Sequence, residues 1–271
     1  MVVREISCRS ILNRSGIPGI DYGINPYVGC SHKCQYCYAV FMKRFTRHTE
    51  PWGDFVDVKM NAPDVLERQV RRLVSKSTIS FGTVCDPYQP IEKKYSITQQ
   101  CLKKLEPYKH EVSILTKSDL VLRDLDILQR LHECEVGFTI TSLDRKTKNI
   151  FEPGSPPVAK RFSALKKLAN NGIPTWAFVA PILPALTDSK KDITNLFDRA
   201  EKAGADYILF DTLNPYPKEW RNMKRIVKKH FPERLEFLDY YHNNQKKYEH
   251  HLKRLIHRNG RTHNIKYRVV F

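Results

Sequence analysis

Residues 25–39 read NPYVGCSHKCQYCYA and place Cys30, Cys34 and Cys37 in the spacing CxxxCxxC. A cubane iron–sulfur cluster takes four thiolate ligands, so a short loop that carries three leaves one iron without a protein ligand. An iron with an open position is a reaction site. The loop therefore predicts a [4Fe-4S] cluster ligated by these three cysteines, and it predicts that the chain is an enzyme.

A zinc site is the alternative for the same loop. Cys34 and Cys37, together with Cys30 or His32, would supply the Cys₃His ligand set of a zinc knuckle. Structural zinc sites usually take a second pair of ligands from a distant hairpin, and the other cysteines form no such pair. They are scattered singly along the chain, at Cys8, Cys85, Cys101 and Cys134. The spacing favours the cluster over zinc, and no disulfide is expected.

The composition predicts a cytoplasmic α/β protein. With 271 residues and 41% hydrophobic content, the chain can bury a substantial core as one domain, although the length alone would also allow two. No apolar run is long enough to span a bilayer, and residues 1–14 lack the apolar core of a signal peptide. Seven cysteines without disulfide-framework spacing fit a reducing compartment. We expect a cytoplasmic location and no membrane contact.

The charge predicts a polyanionic partner. The formal net charge is +17 and the sequence pI is about 9.6, a balance that most often accompanies DNA or RNA binding. Basic clusters lie at residues 218–230 and from residue 245 to the C-terminus. Lysine-rich surfaces also serve solubility alone, or adaptation to heat and salt. Of these alternatives, the sequence favours contact with a nucleic acid.

Short β-rich runs alternate with amphipathic helical stretches, a pattern typical of parallel strands joined by crossover helices. The predicted strands are residues 23–27, 78–82, 112–116, 137–141, 175–180 and 207–211. The predicted helices are residues 63–76, 98–105, 122–132, 158–170, 193–203 and 218–229. About six βα units are too few to close an eight-stranded barrel. The predicted fold is therefore α/β, an open partial TIM-type (β/α) barrel with its site at the carboxyl ends of the strands.

The C-terminal part is expected to differ from this barrel. Beyond Phe231 the sequence predicts one long basic helix, followed by a short strand at residues 265–271. We expect residues 1–215 to form the core and residues 216–271 to form a basic extension packed on it.

Polar residues follow each predicted strand at the edge where a site is expected. They lie in residues 82–88, 116–118, 139–142 and 179–182, after the second to the fifth strand. Thr, Ser, Asp and Pro are also common in turns, so each segment taken singly has a purely structural alternative.

Five segments of the chain resemble the radical S-adenosylmethionine (SAM) superfamily, and within it the spore photoproduct lyase-like group often labelled DNA repair photolyases. The matching segments are residues 25–38, 86–92, 115–118, 152–156 with Arg161, and 179–182. They occur in order between residues 23 and about 190, and the resemblance does not extend to the C-terminal tail. It implies a [4Fe-4S] cluster whose open iron binds SAM, and whose reduced form splits SAM to a 5′-deoxyadenosyl radical. It also implies an external electron donor such as ferredoxin or flavodoxin.

The resemblance implies roles for several residues at the SAM site. Tyr36 would offer its backbone to the adenine edge and its ring to the wall of the loop. Lys117 would pair with the SAM carboxylate, as a point cation suits an anion at a strand end. Thr139 would bond the methionyl carboxylate, and Thr141, two residues further on the same strand face, would reach the ribose. Arg161 would neutralise SAM or order the strand ends.

The same resemblance adds residues closer to the chemistry. Cys85 stands where the lyase has a serine that contacts the methionyl amino group, and Asp86 and Ala180 complete the expected cofactor-binding set. Tyr38 would face the substrate side of the loop, so Tyr38 and Cys85 are the candidate catalytic residues. Ordinary aromatic packing is the alternative for Tyr36 and Tyr38, and burial as a small apolar residue is the alternative for Cys85.

One departure from the lyase pattern bears on the substrate. The lyase has a cysteine that returns a hydrogen atom to the repaired thymine, and Thr83 takes its place here. A threonine O–H bond is too strong to give a hydrogen atom to a carbon radical, so repair of the spore photoproduct itself is not expected. Cys85 would share a face with Thr83 if the strand continued, and would then be an alternative donor.

Three functions remain open from the sequence. The first is lyase-like DNA repair or base modification of a nucleic acid. The second is radical SAM modification of RNA or of a protein. The third is a non-catalytic iron–sulfur or zinc protein that binds nucleic acid through its basic surface.

Overall fold

The computed structural model describes residues 1–214 and 216–271. Its strands are β1 (Val2–Ile6), β2 (Leu12–Arg14), β3 (Tyr22–Ile24), β4 (Tyr27–Val28), β5 (Phe55–Lys59), β6 (Thr78–Phe81), β7 (Glu111–Thr116), β8 (Glu133–Thr139), β9 (Thr175–Ile182), β10 (Tyr207–Thr212) and β11 (Lys266–Val269). Its α-helices are α1 (Ala62–Val70), α2 (Glu92–Tyr95), α3 (Ile97–Leu105), α4 (Leu125–Leu128), α5 (Arg145–Phe151), α6 (Val158–Ala169), α7 (Lys190–Ala203), α8 (Pro217–His230), α9 (Leu235–Asn243) and α10 (Gln245–Gly260). Helices of the 3₁₀ type cover Tyr38–Phe45, Asp119–Asp124 and Pro232–Arg234.

A large sheet organises the fold. Within the described chain it contains eight strands in the order β11-β10-β9-β8-β7-β6-β3-β2, and every pair except β2–β3 is parallel. The run from β3 through β6 to β10 is the series of six predicted strands. A smaller sheet has the strand order β1-β5-β4. The sequence did not predict β1 or β5, and of β4 only Tyr27 falls within a predicted strand, residues 23–27. The predicted open α/β architecture is confirmed.

The central strands β7 and β8 form because buried apolar residues alternate along them. Val112 and Ile114 of β7 and Val136 and Phe138 of β8 are at most 2% exposed. The positions between them are mostly polar or glycine, so one face of each strand packs into the core. Because all these strands point the same way, their polar carboxyl ends meet at one edge of the sheet, where the site was predicted.

Two predicted helices are shorter than expected. The helix predicted at residues 63–76 ends at Val70, where the amides of Arg72 and Leu73 bond carbonyls three residues back and tighten the last turn. The helix predicted at residues 122–132 is a 3₁₀ helix followed by the single turn of α4.

The single long helix predicted beyond Phe231 is wrong. The chain forms α9 and α10, which meet at Asn244, whose φ of −131° is not helical. The break places Tyr241 in the core, where its hydroxyl donates to the Leu213 carbonyl at 2.5 Å. The gain from this tertiary contact outweighs the local preference for a continuous helix.

The predicted extension is joined to the main sheet. β11 pairs in parallel with β10 and adds an edge strand, while α10 packs on α7. The predicted boundary falls at Pro215, outside the described residues. We propose, in line with the sequence, that residues 216–271 are an extension packed on the core. No helix among the described residues is long and apolar enough to cross a membrane.

Candidate active site

The cysteine loop begins directly after β4 and lies at the carboxyl edge of the main sheet. Gly29 precedes Cys30 with φ of +90°, and a Cβ at this position would lie 2.3 Å from the Phe55 carbonyl oxygen. Only glycine fits such a close approach in this conformation. The turns then close on backbone bonds, with the Lys33 amide donating to Cys30 O at 3.3 Å and the Cys37 amide to Cys34 O at 3.2 Å.

Residues from two distant segments hold this loop in place. The buried Gln89 side chain donates to Gly29 O at 3.1 Å and accepts from the Ser31 amide at 2.9 Å. Gly154 donates its amide to His32 O at 3.0 Å, and a Cβ there would lie 2.1 Å from Ser31 O. The sequence marked residues 86–92 and 152–156 as matching segments but gave Gln89 and Gly154 no role. Their role is to fix the loop backbone.

The predicted cluster ligands lie close to one another. Burial, with the nearby Asp86, Cys85 and Cys34, raises the pKa of the Cys30 thiol well above its usual value. Burial raises the pKa of Cys34 to about 12, and Cys37 adds to the rise. Thiols crowded in this way ionise only beside a cation, which iron would provide. The donor set therefore fits a cluster.

This spacing differs from that of a single-ion site. In the part of the chain that the structure describes, no three His, Cys, Asp or Glu side chains are grouped so as to hold one metal ion. A cubane does not require such a group, because each thiolate binds a different iron.

A buried hydrogen-bond network lies beneath Tyr36. The Tyr36 hydroxyl donates to the Glu152 carboxylate and lies 2.9 Å from Thr141 Oγ1. Thr141 Oγ1 in turn donates to the Ala180 carbonyl at 2.8 Å. The structure thus brings together three residues predicted at the SAM site, from the loop, the end of β8 and β9. Glu152, which joins them, was part of a matching segment but was not predicted as a site residue.

The Glu152 carboxylate is paired with a fully buried arginine. Arg161 is 0% exposed, and its guanidinium binds Glu152 and donates to the Thr139 carbonyl at 2.8 Å and Ser155 Oγ at 2.7 Å. Burial alone would raise the pKa of Glu152, but Arg161 and Lys117 lower it to about 2. Of the two tasks predicted for Arg161, this geometry corresponds to ordering the strand ends.

Lys117 lies just after β7, beside the Tyr36 ring. Its ammonium nitrogen is 5.9 Å from the centroid of that ring. Burial alone would lower the pKa of Lys117, but Cys34 and Glu152 raise it above its ordinary value. The residue therefore presents a stable positive charge beside a predicted cluster ligand.

Asp86 is occupied by protein donors. Its carboxylate accepts from Thr116 Oγ1 at 2.6 Å, from the Lys117 amide at 2.7 Å and from the Tyr88 amide at 2.9 Å. His32 Nδ1 lies 3.3 Å from Oδ2 without the alignment of a hydrogen bond. Burial alone would raise the pKa of Asp86, but His32, Thr116 and the Lys117 amide lower it to about 2. Asp86 fixes the end of β7 and so the position of Lys117.

Cys85 reaches the cysteine loop by a different route from the one predicted. β6 ends at Phe81, so Cys85 and Thr83 do not share a strand face, and that expectation is wrong. Instead the Asn25 side chain accepts from the amides of Val84 at 2.9 Å and Cys85 at 3.1 Å, and donates to Thr83 Oγ1 at 2.9 Å. Burial, with Cys37 nearby, raises the pKa of Cys85 to about 12. It therefore stays a protonated thiol.

Tyr38 follows the last cysteine and is 49% exposed, although its hydroxyl donates to the Thr83 carbonyl. Enclosure of this hydroxyl, with Cys37, Cys85 and Tyr216 nearby, raises the pKa of Tyr38 to about 12. The phenol thus lies against the loop while part of the ring faces outward.

The model of the Radical SAM superfamily matches residues 24–197, which is more than half of the chain. The chain therefore belongs to the radical SAM superfamily. Enzymes of this superfamily use a [4Fe-4S] cluster and SAM. The ligation of this cluster by Cys30, Cys34 and Cys37 stays a prediction.

Other proteins are similar to this chain over most of its length. An uncharacterised protein of Methanocaldococcus jannaschii is 38% identical over 234 residues, which cover 86% of this chain and 85% of that protein. The radical SAM Nalpha-GlyT isomerase of Pseudomonas phage M6 is 26% identical over 227 residues, which cover 81% of this chain and 45% of that protein. A structure of spore photoproduct lyase complexed with dinucleoside spore photoproduct superposes with a TM-score of 0.73 at 18% identity, over 98% of this chain and 81% of that chain. At this identity the likeness concerns the fold.

Proposed function

We propose that this radical SAM enzyme acts on a base of a nucleic acid, in a lyase-like repair or base-modification reaction. The observation that carries the proposal is a direct bond between the basic helix α8 and the cysteine loop. Asn222 of α8 donates its amide to the Gln35 carbonyl at 2.7 Å, and Arg225 donates to Asn222 Oδ1 at 2.9 Å.

Helix α8 and the residues that flank it contact the loop and the end of α5. Tyr216 precedes it and lies near Tyr38, Asn222 in its middle bonds Gln35, and Phe231 after its end stacks on Phe151 with 6.3 Å between ring centroids. Its exposed face carries Arg221, Lys224, Arg225, Lys228 and Lys229. These cations lie on the helix that bonds the loop, and they would attract a phosphate backbone.

The similar proteins support a nucleoside substrate. The spore photoproduct lyase structure holds a dinucleoside, and its fold covers nearly the whole of this chain. The net charge of +17 agrees with a polyanionic ligand. Repair of the spore photoproduct itself is not proposed, because Thr83 takes the place of the lyase's hydrogen donor.

We assign the cofactor contacts as the sequence predicted them. Cys30, Cys34 and Cys37 would hold the cluster, and Lys117 would bind the SAM carboxylate. The cluster and SAM, when bound and reduced, supply a 5′-deoxyadenosyl radical. An external one-electron donor is required for the reduction, and ferredoxin or flavodoxin would serve.

The remaining predicted residues divide into contact and positioning roles. Tyr36, Thr139, Thr141 and the Ala180 carbonyl would line the SAM pocket. Tyr36 donates its hydroxyl hydrogen to Glu152 and Thr141 donates its own to Ala180 O, so towards a ligand these two hydroxyl oxygens would act as acceptors. Arg161 and Asp86 would act through the strand ends that they fix. Cys85, a thiol near Cys37, and Tyr38, a phenol that donates to the Thr83 carbonyl, would be the catalytic residues.

An anaerobic assay of SAM cleavage tests the proposal. The purified protein, with its cluster reconstituted, is given a reductant and SAM, and 5′-deoxyadenosine is measured alone or with DNA, RNA or a peptide mixture. We expect nucleic acid to stimulate product formation or to acquire a changed base detectable by mass spectrometry. Stimulation by peptides alone would instead assign the enzyme to protein modification.

A further inference from the structure

An exposed row of aromatic and cationic side chains starts at the last cysteine of the loop. Cys37 caps the 3₁₀ helix Tyr38–Phe45. Residues three apart are eclipsed in a 3₁₀ helix, so Tyr38, Phe41 and Arg44 form one ridge. The rings of Tyr38 and Phe41 stack with centroids 6.4 Å apart. The Arg44 guanidinium lies 5.5 Å from the Phe41 centroid and 4.6 Å from that of Phe45.

These side chains are exposed, unlike most aromatic residues of the protein. Tyr38, Phe41 and Phe45 are 49%, 42% and 68% exposed. Exposed rings on neighbouring turns form an apolar surface that water covers poorly, and such surfaces commonly bind ligands.

The charge around the row indicates which ligand it fits. Residues 38–47 contain Lys43, Arg44 and Arg47 and no acidic residue. Alternating aromatic rings and guanidinium planes are the surface on which unpaired bases stack, while the cations attract the phosphates. A second exposed aromatic pair, Phe237 and Tyr240 on α9, has Glu236 and Asp239 beside it and lacks this complementarity.

We propose that Tyr38, Phe41, Arg44 and Phe45 form a stacking ladder for the unpaired bases of a single-stranded or locally opened polynucleotide. The ladder begins one residue after a predicted cluster ligand, so a strand stacked along it ends with a base at the reaction site. This deepens the proposed function and rests on it, because it names unpaired bases as the substrate form.

Binding measurements with Phe41→Ala and Phe45→Ala, singly and together, test the ladder. The probes are a fluorescein-labelled oligothymidylate of about 12 nucleotides, the matching oligouridylate, an abasic strand of equal length and the same sequence as a duplex. Each substitution should weaken binding of the base-containing single strands at least about fivefold, since stacking of a base is worth about that much or more. Affinity for the abasic strand should not change.

Two further readouts separate stacking from a general loss of structure. The slope of log affinity against log salt should stay the same in the variants, because no phosphate contact is removed. Phe41→Trp, which retains a stacking ring, should restore the affinity that Phe41→Ala loses. Phe237→Ala is the matched control, since Phe237 is 43% exposed, and it should bind like the wild type. Iron content and thermal midpoint are measured for every variant.

The outcomes distinguish the ladder from the function on which it rests. Wild-type affinity of the double variant for single strands would overturn the ladder, while stimulation of SAM cleavage by nucleic acid would still support the function. Equal losses on the abasic strand and the duplex would also overturn it. Failure of the native protein to bind or respond to any nucleic acid would remove both. Tighter binding of the thymidylate or the uridylate strand assigns the ladder to DNA or to RNA.

Discussion

Charged residues are buried and paired beneath the cysteine loop, whereas in the C-terminal extension they face outward. Arg161 is 0% exposed and bonds Glu152, Ser155 and a strand end, while Lys228 and Lys229 at the end of α8 are exposed. The buried, paired charges fix backbone positions, and few of their hydrogen-bonding groups remain to bind another molecule. The exposed charges remain available to a polyanion. The same residue types therefore order the site in one region and attract the ligand in the other.

The two regions share one hydrophobic core and are joined by specific contacts. The Asn222–Gln35 hydrogen bond and the Phe231–Phe151 stack join α8 to the loop and to the end of α5. The following substitutions change buried and exposed groups separately, so that their effects can be compared.

The largest effect is expected from the cysteine loop. Cys34→Ala should abolish both the cluster and SAM cleavage, because two thiolates cannot hold a cubane with an open iron. Cys134→Ala is the control, since Cys134 lies at the opposite end of the sheet on β8, and it should keep its iron. Iron and sulfide analysis with the 5′-deoxyadenosine assay provides the measurement. Full iron content and full cleavage in Cys34→Ala would refute the ligand assignment.

The next effect is expected at the buried ion pair. Arg161→Ala leaves the Glu152 carboxylate buried without its main partner and should lower the free energy of unfolding by about 3–5 kcal/mol. Arg130→Ala is the matched control, because Arg130 pairs with Glu106 on the surface, where such pairs contribute little. Denaturant unfolding of the apo proteins separates this loss from loss of the cluster. A loss no larger than that of Arg130→Ala would show that the pair does not order the strand ends.

The sequence predicted the central strands, and it proposed a set of site residues from local patterns. In β7 and β8 the buried apolar residues recur at every second position, so the strands can be recognised from a few neighbouring residues. The residues at the loop and strand ends belong to short matching segments that can be identified one by one. Position in such a segment does not reveal the partner of a residue, so Tyr36 was predicted but its bond to Glu152 was not.

The unpredicted features depend on long-range contacts or on weak local patterns. β1 is exposed in its middle residues and has no apolar alternation. Gln89 bonds Gly29 and Ser31 across about sixty residues of chain. The break at Asn244 follows from the burial of Tyr241. The hydrogen-donor role of Cys85 was predicted from strand alternation, but the backbone at Cys85 is held by the Asn25 side chain.

A smaller effect is expected from the exposed charges of α8. Replacing Lys228 and Lys229 by Gln should weaken nucleic-acid binding severalfold at low salt. The slope of log affinity against log salt concentration should fall in magnitude by up to about 2, since each lost phosphate contact lowers that slope by nearly 1. The control replaces Lys166 and Lys167, which are exposed near the end of α6, at the edge of the sheet away from the site. SAM cleavage without nucleic acid should not change. Equal slopes in both variants would indicate that the excess of lysine and arginine serves solubility and not nucleic-acid binding.

The smallest effect is expected at Cys85, where the two regions of the site, loop and strand end, come together. Cys85→Ser keeps the size of the side chain and the backbone bonds to Asn25, so the cluster and SAM binding should be retained. A thiol gives a hydrogen atom to a carbon radical far more readily than a hydroxyl does, and Cys85 stays protonated near Cys37. The ratio of substrate product to abortive 5′-deoxyadenosine should therefore fall, with total SAM cleavage little changed. Cys101→Ser, at a buried position on α3, controls for loss of a core thiol. A wild-type product ratio in Cys85→Ser would restrict Cys85 to packing beside the loop, whereas efficient repair of spore photoproduct by the native protein would show that Thr83 does not exclude that substrate.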